Sequence, residues 1–206
     1  MSEKRELLVE STNDQHVVYN LLKKHGIFEA FRVTSKDGIG NVFKALRIQL
    51  KFQDDEKLER IGIVVDANSD LEKRWAEVKK ILGDAGYVNL PDTPSPSGTI
   101  IRQDGLPVFG VWLMPNNSIT GTLENFIAFL MPEKDTLWQL GCNTVSSLSE
   151  KRFASKDEIK AQIHTWLAWQ KDPGTPMGWA ITKGYLDSNA LMAHKLVDWL
   201  RALFID

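Results

Sequence analysis

Apolar residues fall along this chain in two patterns. Apolar-rich runs at Leu7-Leu8-Val9, Phe28 to Thr34 (through Phe28, Ala30, Phe31 and Val33), Ile61 to Val65 and Pro107 to Met114 predict strands. Between them, apolar positions recur every three or four residues and predict helices. These are carried by Val17, Val18, Leu21 and Leu22, by Val42 to about Lys51, and by Leu71 to Leu82. The Ile61–Val65 run is continuous, which suits the middle of a parallel sheet covered on both faces. Punctuation agrees: Ser11, Thr12, Asn13 and Asp14 are N-cap types, and Gly26 is a C-cap type. Asp37-Gly38-Ile39-Gly40-Asn41 is a glycine-bearing turn, and Gln53 to Glu59 is a polar loop. Thr99 to Arg102 pairs with Pro107 to Met114 across Asp104-Gly105, a hairpin signal. Leu123 to Leu130 opens a further helix.

Three more helical patterns follow, around Leu137 to Leu148, Lys156 to Gln170 and Leu191 to Phe204. Pro173-Gly174-Thr175-Pro176 breaks the chain between the last two. Alternating strands and helices predict an α/β fold, Rossmann-like, with a mostly parallel sheet and helices on both faces. A helical C-terminal part is added to it. The composition shift places the boundary at 132: residues 1–132 form the α/β domain and residues 133–206 a helical extension packed on it.

The charge balance narrows the function little. A formal net charge of −2 lacks the overall basic signature of a nucleic-acid binder and leaves a local patch open. One cysteine, Cys142, excludes an internal disulfide and a cysteine-based zinc cluster. The charged start does not resemble a signal peptide, and no apolar stretch is long enough to span a bilayer, so a cytoplasmic protein without a membrane partner is expected. Five tryptophans lie in the last third; at helical spacing they read as core or helix–sheet seam rather than as a base-stacking surface.

The candidate chemistry is acidic. Glu10 and Asp66 each end an apolar strand, Asn68 and Asp70 follow Asp66, and Glu124 opens a helix. Strands in parallel register would gather these residues at the carboxyl edge of the sheet, where α/β folds bind ligands. Hard divalent cations take such oxygen ligands. Helix capping alone would also explain Ser11, Asp14 and Asp70, and Glu124 could serve the helix dipole. The pairing of Glu10 with Asp66 is harder to assign to capping, because uncompensated carboxylates repel.

Leu7-Leu8-Val9-Glu10-Ser11-Thr12-Asn13-Asp14, with Gly62-Ile63-Val64-Val65-Asp66-Ala67-Asn68-Ser69-Asp70, resembles a Toprim domain. Asp37-Gly38 with Asn41-Val42, and Gly121-Thr122-Leu123-Glu124, are most similar to the OLD-type branch of that family. Ile163 to Gln170 and Pro173 to Gly178 resemble the C-terminal part of stand-alone bacterial Toprim-like proteins. The resemblance implies that Glu10 binds metal or handles a proton and that Asp66 is the first aspartate of an Asp-x-Asp pair. Asn68 stands at the second aspartate, with Asp70 as its substitute, and Ser11 stands where a glycine is usual. Glu124 matches the later acidic residue.

The resemblance and the acidic strand ends together imply an Mg²⁺- or Mn²⁺-dependent phosphodiester hydrolase or phosphotransfer enzyme acting on DNA or RNA. Glu10, Asp66, Asn68, Asp70 and Glu124 would hold the ion, and Lys160 or Lys183 would neutralise charge in the transition state. The rivals are a non-catalytic Toprim-like module serving a protein partner and a small-molecule phosphotransfer protein.

Overall fold

In the computed structural model, residues 4–28, 30–51 and 58–206 are described. Five strands form one sheet: β1 (Arg5–Val9), β2 (Arg32–Ser35), β3 (Arg60–Asp66), β4 (Thr99–Ile101) and β5 (Val108–Met114). Their spatial order is β2-β1-β3-β5-β4. All neighbours are parallel except β4, which pairs antiparallel with β5. The eight helices among the described residues are α1 (Thr12–Lys24), α2 (Ile39–Lys51), α3 (Leu71–Asp84), α4 (Leu123–Ala128), α5 (Thr136–Ser146), α6 (Glu158–Ala168), α7 (Met177–Thr182) and α8 (Leu191–Phe204). None is long and apolar enough to cross a membrane.

The sheet has two buried faces, as the unbroken apolar runs require. Leu8, Ile61, Ile63, Val65, Phe109 and Val111 pack against α2 and α3. Leu7, Val9, Val64, Trp112 and Met114 share a core with residues of α1, α4, α6, α7 and α8. That second core joins residues from both sides of position 132, so the C-terminal helices are the covering layer of one sheet face. Gly62 and Gly110 lie opposite each other on β3 and β5. Leu203 and Phe204 of α8 occupy the space their side chains would need. Arg5 and Arg60 fasten the same helix end by donating to the carbonyls of Phe204 and Leu203, both at 2.6 Å. On the other flank Gly178 of α7 abuts the backbone of His16 in α1, where a Cβ would stand 2.9 Å away.

Several elements differ from the sequence expectation. The strand expected over Phe28 to Thr34 begins only at Arg32, and Phe28 is largely exposed. Helix α2 begins at Ile39, so the expected glycine turn is itself the helix start. Helix α7 directly follows Pro176, where the sequence suggests only a break; proline before a first turn starts helices as readily as it ends them. The Gln53–Glu59 loop lies mostly outside the described residues. Trp166 and Trp199 are core residues, whereas Trp169 and Trp179 are exposed.

Glu6 is a buried charge in β1, between β2 and β3, and is 1% exposed. Its carboxylate accepts from Thr34 Oγ1 at 2.6 Å and from Gln49 Nε2, and it pairs with Arg32 at 3.1 Å. Replacing it by alanine strips both neutral donors of their acceptor. We expect Glu6→Ala to cost about 2–3 kcal/mol, read as a lower midpoint in thermal unfolding, with Glu6→Gln milder. A midpoint unchanged by Glu6→Ala would show that this network contributes nothing.

Candidate metal centre at the carboxyl edge of the sheet

Strand order sets the place. From β1 the chain moves to β2 on one side and then crosses to β3 on the other, so the order reverses between β1 and β3. In open α/β sheets a crevice forms at such a switch point, beyond the carboxyl ends of the strands. Glu10 directly follows β1, and Asp66 is the last residue of β3. Both line a cleft of about 380 Å³ with Asp14, Asn68, Glu124 and Lys160.

Each wall has a local cause. Ser11 is the N-cap of α1 and forms a capping box with Asp14: the Asp14 carboxylate accepts the Ser11 N–H at 2.9 Å and the Ser11 hydroxyl. The β2–α2 turn is tied above β1 by the Gly38 N–H donating to the Glu10 carbonyl at 2.7 Å, which brings Asp37 and Gly38 to the rim. Helix α4 starts over the cleft because the Leu123 N–H donates to Asp66 Oδ1 at 3.0 Å. A short 3₁₀ turn at Ser155–Asp157 and the first turn of α6 supply the last wall, with Lys156, Asp157, Ile159 and Lys160.

The two strand-end carboxylates are linked in series. Glu10 Oε1 accepts the Asp66 N–H at 2.7 Å, and Asp66 Oδ1 accepts from Leu123. Arg74 donates to the Asp66 carbonyl at 2.9 Å. These bonds use one oxygen of each of Glu10, Asp66 and Asp14. Among the described residues no donor reaches Glu10 Oε2, Asp66 Oδ2 or Asp14 Oδ1. Glu124 takes the Thr122 hydroxyl at 2.8 Å and stands 3.9 Å from Lys160 Nζ.

Crowding and burial set the electrostatics. Burial, then the charges of Asp14, Glu10 and Glu124, push the Asp66 carboxyl up to about 8. Burial pushes Asp14 up to about 6, against the Ser11 hydroxyl bond, with Glu10 adding repulsion. Burial also raises Glu10, opposed by its bond from Asp66 and by Arg74. The protein thus concentrates negative charge where it is costly. An asparagine at 66 would accept the Leu123 hydrogen bond without that cost, so the fold alone does not require the carboxylate.

The donor set is all oxygen, the kind that hard divalent cations take. Among the described residues, no three His, Cys, Asp or Glu side chains stand close enough to cage an ion. Mg²⁺ does not need a cage: it keeps several waters and takes one or two carboxylates plus substrate phosphates. The oxygens of Glu10 and Asp66 that accept no hydrogen bond fit that mode, and they suit Mn²⁺ equally.

Of the residues expected in the site, Glu10, Asp66, Asn68, Glu124 and Lys160 come together. Asp70 does not line the cleft. It is the N-cap of α3, exposed, with its carboxylate accepting the Lys73 N–H at 2.9 Å. Lys183 is bound to Asp172 at 2.8 Å on the α7 side. Asn68 is exposed and has φ +55, a left-handed conformation that asparagine and aspartate tolerate best; its N–H donates to the Gly121 carbonyl at 2.8 Å. Asp14, Asp37 and Lys156 join the cleft without having been expected there. For Asp14 the available signal is its place one helical turn after Glu10, hidden by its service as a cap.

Comparison with curated proteins and with solved structures gave no match. The model of the family described as "Protein of unknown function (DUF3226)" matches residues 4–205, and the chain belongs to that family.

Proposed function

We propose that the cleft binds Mg²⁺ or Mn²⁺ and hydrolyses phosphodiester bonds in nucleic acid. The observation that carries this reading is the Asp66 carboxyl, crowded by Asp14, Glu10 and Glu124 at the switch point without a structural need for its charge. The likeness to Toprim domains in the residues around Glu10 and Asp66 points the same way. A divalent ion would supply charge neutralisation at the phosphate and hydroxide at neutral pH. Glu10 Oε2 and Asp66 Oδ2 are the oxygens free to hold it. Lys160, in the first turn of α6 and 3.9 Å from Glu124, neutralises charge that builds on the non-bridging oxygens. Water's oxygen forms the new bond to phosphorus, the ester P–O bond breaks, and the leaving oxygen takes up a proton. The proton that water loses passes to solvent, because Glu10 Oε1 already accepts the Asp66 N–H and Oε2 would hold the ion.

Small phosphate esters are the second reading, favoured by the scarcity of cations on the rim. The test is Mg²⁺- and Mn²⁺-dependent turnover of DNA and RNA oligonucleotides, nucleotides and simple phosphate diesters. Asp66→Asn serves as control because it keeps the Leu123 bond. Oligonucleotide cleavage lost in Asp66→Asn is the expected result. Turnover of small esters alone favours the second reading, and no turnover of any substrate leaves a binding module. Asn68→Asp adds a carboxylate at the rim without straining the backbone, and calorimetry should show tighter Mn²⁺ binding. Unchanged affinity would mean that residue 68 faces away from the ion.

A further inference from the structure

The cleft's charges and walls say which part of a nucleic acid it can take. Six carboxylates line it, those of Glu10, Asp14, Asp37, Asp66, Glu124 and Asp157, against two lysines, Lys156 and Lys160. One ion at the carboxylates offsets only part of this excess, and the whole chain carries a net charge of −2. A continuous duplex backbone is held by many phosphate contacts along a basic surface, which this rim does not offer. The two lysines lie four residues apart, Lys156 in the 3₁₀ turn and Lys160 in the first turn of α6, where its Nζ stands 3.9 Å from Glu124. Its volume of about 380 Å³ lies near the lower end of small-ligand sites. No aromatic side chain lines it among the described residues, so stacking cannot fix a run of bases.

Resting on the phosphodiesterase reading above, we propose that the site accepts the end of a single strand, seating one terminal nucleotide phosphate between the carboxylates and Lys156 and Lys160, and does not accept an internal phosphodiester of a duplex.

The test compares three DNAs of one sequence: a linear single strand, the same strand ligated into a circle, and the blunt duplex. Binding is read by fluorescence anisotropy with wild-type protein and Ca²⁺ in place of Mn²⁺, so that cleavage does not intervene; shortening is read with Mn²⁺. A linear strand bound at least tenfold more tightly than circle or duplex is expected. So is stepwise shortening by single nucleotides. With one phosphate neutralised, log K should fall with log salt at a slope of about −0.7. Lys156→Ala and Lys160→Ala should each flatten that slope by about half. Equal binding of the circle, cleavage of the circle or a slope several times steeper overturns the end-directed proposal while leaving the nuclease reading intact. Turnover of free nucleotides but of no strand overturns both the proposal and the nucleic-acid reading. If neither strands nor nucleotides are bound or cleaved, the phosphodiesterase reading itself fails.

Discussion

Asp66→Asn should make the metal-free protein more stable at pH 8 while removing its response to divalent ions. The Asp66 carboxyl is raised from the ordinary value of 3.8 to about 8 in the fold. Between those values the folded state holds a proton that the unfolded chain has released. Stability therefore falls as pH rises from about 4 to about 8 and levels off above. Asp14, raised to about 6, adds the same sign over a narrower window, and Glu10, also raised by burial, adds the same sign. Displacing a carboxyl by one pH unit corresponds to about 1.4 kcal/mol, so the penalty at pH 8 is on the order of a few kcal/mol. Asparagine keeps the acceptor for Leu123 and carries no charge. Thermal unfolding should give Asp66→Asn a midpoint about 5–10 °C above wild type at pH 8, and near equality at pH 4. Mn²⁺ should raise the wild-type midpoint at pH 8, less so at pH 5.5, and leave Asp66→Asn unmoved. A variant less stable than wild type at pH 8 would mean that Asp66 is ionised at no cost, held by its hydrogen bond alone.

The second large effect lies in the core, far from the cleft. A Cβ on Gly110 would overlap Leu203 Cδ2 and stand 3.0 Å from Trp199 Cζ2; one on Gly62 would stand 2.8 Å from Leu203 Cδ2 and 2.9 Å from Leu7 Cδ1. The two glycines form a shallow trough on β3 and β5, and α8 lies in it. Gly110→Val therefore drives α8 away from the sheet. Overpacking in a core costs about 1–3 kcal/mol and at times more. Here the displaced helix also carries the carbonyls held by Arg5 and Arg60. We expect a loss of about 3 kcal/mol or greater, seen in urea unfolding, with partial rescue by Leu203→Ala because the two changes share one space. Gly40 is the contrast: nothing lies within 4 Å of its Cβ position inside α2, so Gly40→Ala should stabilise by about 0.4–1 kcal/mol. Additive effects of Gly110→Val and Leu203→Ala would show that the trough does not decide how α8 sits.

These two cases mark what the sequence could and could not disclose. The parallel sheet is legible because Ile61–Val65 is apolar without alternation, and Glu10 and Asp66 are legible as a pair because each ends such a run. Glycine at 62 hints at close approach of another element. Its partner, Leu203, stands near the other end of the chain and leaves no local mark. Asp70 misleads because a cap and a ligand look alike in sequence: both are acidic residues just after a strand. The structure separates them by direction, since Asp70 turns back to its own helix and Asp14, also a cap, reaches the cleft. Lys156 could not be foreseen. Its place depends on how the 3₁₀ turn and α6 come back over the strand ends, which no local pattern encodes. Phe28 shows the limit of counting apolar residues, because it adjoins an edge strand and stays exposed.

The carboxylates at the β1/β3 switch point should form a divalent-ion site, and everything proposed for the cleft depends on it. The most direct measurement is an electron paramagnetic resonance titration of Mn²⁺ into the protein at pH 8, which reads the free aquo ion. Wild type should deplete that signal, and Asp66→Asn and Glu10→Gln should restore it to the level of buffer. Equal depletion by all three proteins, or none by wild type, would contradict the account.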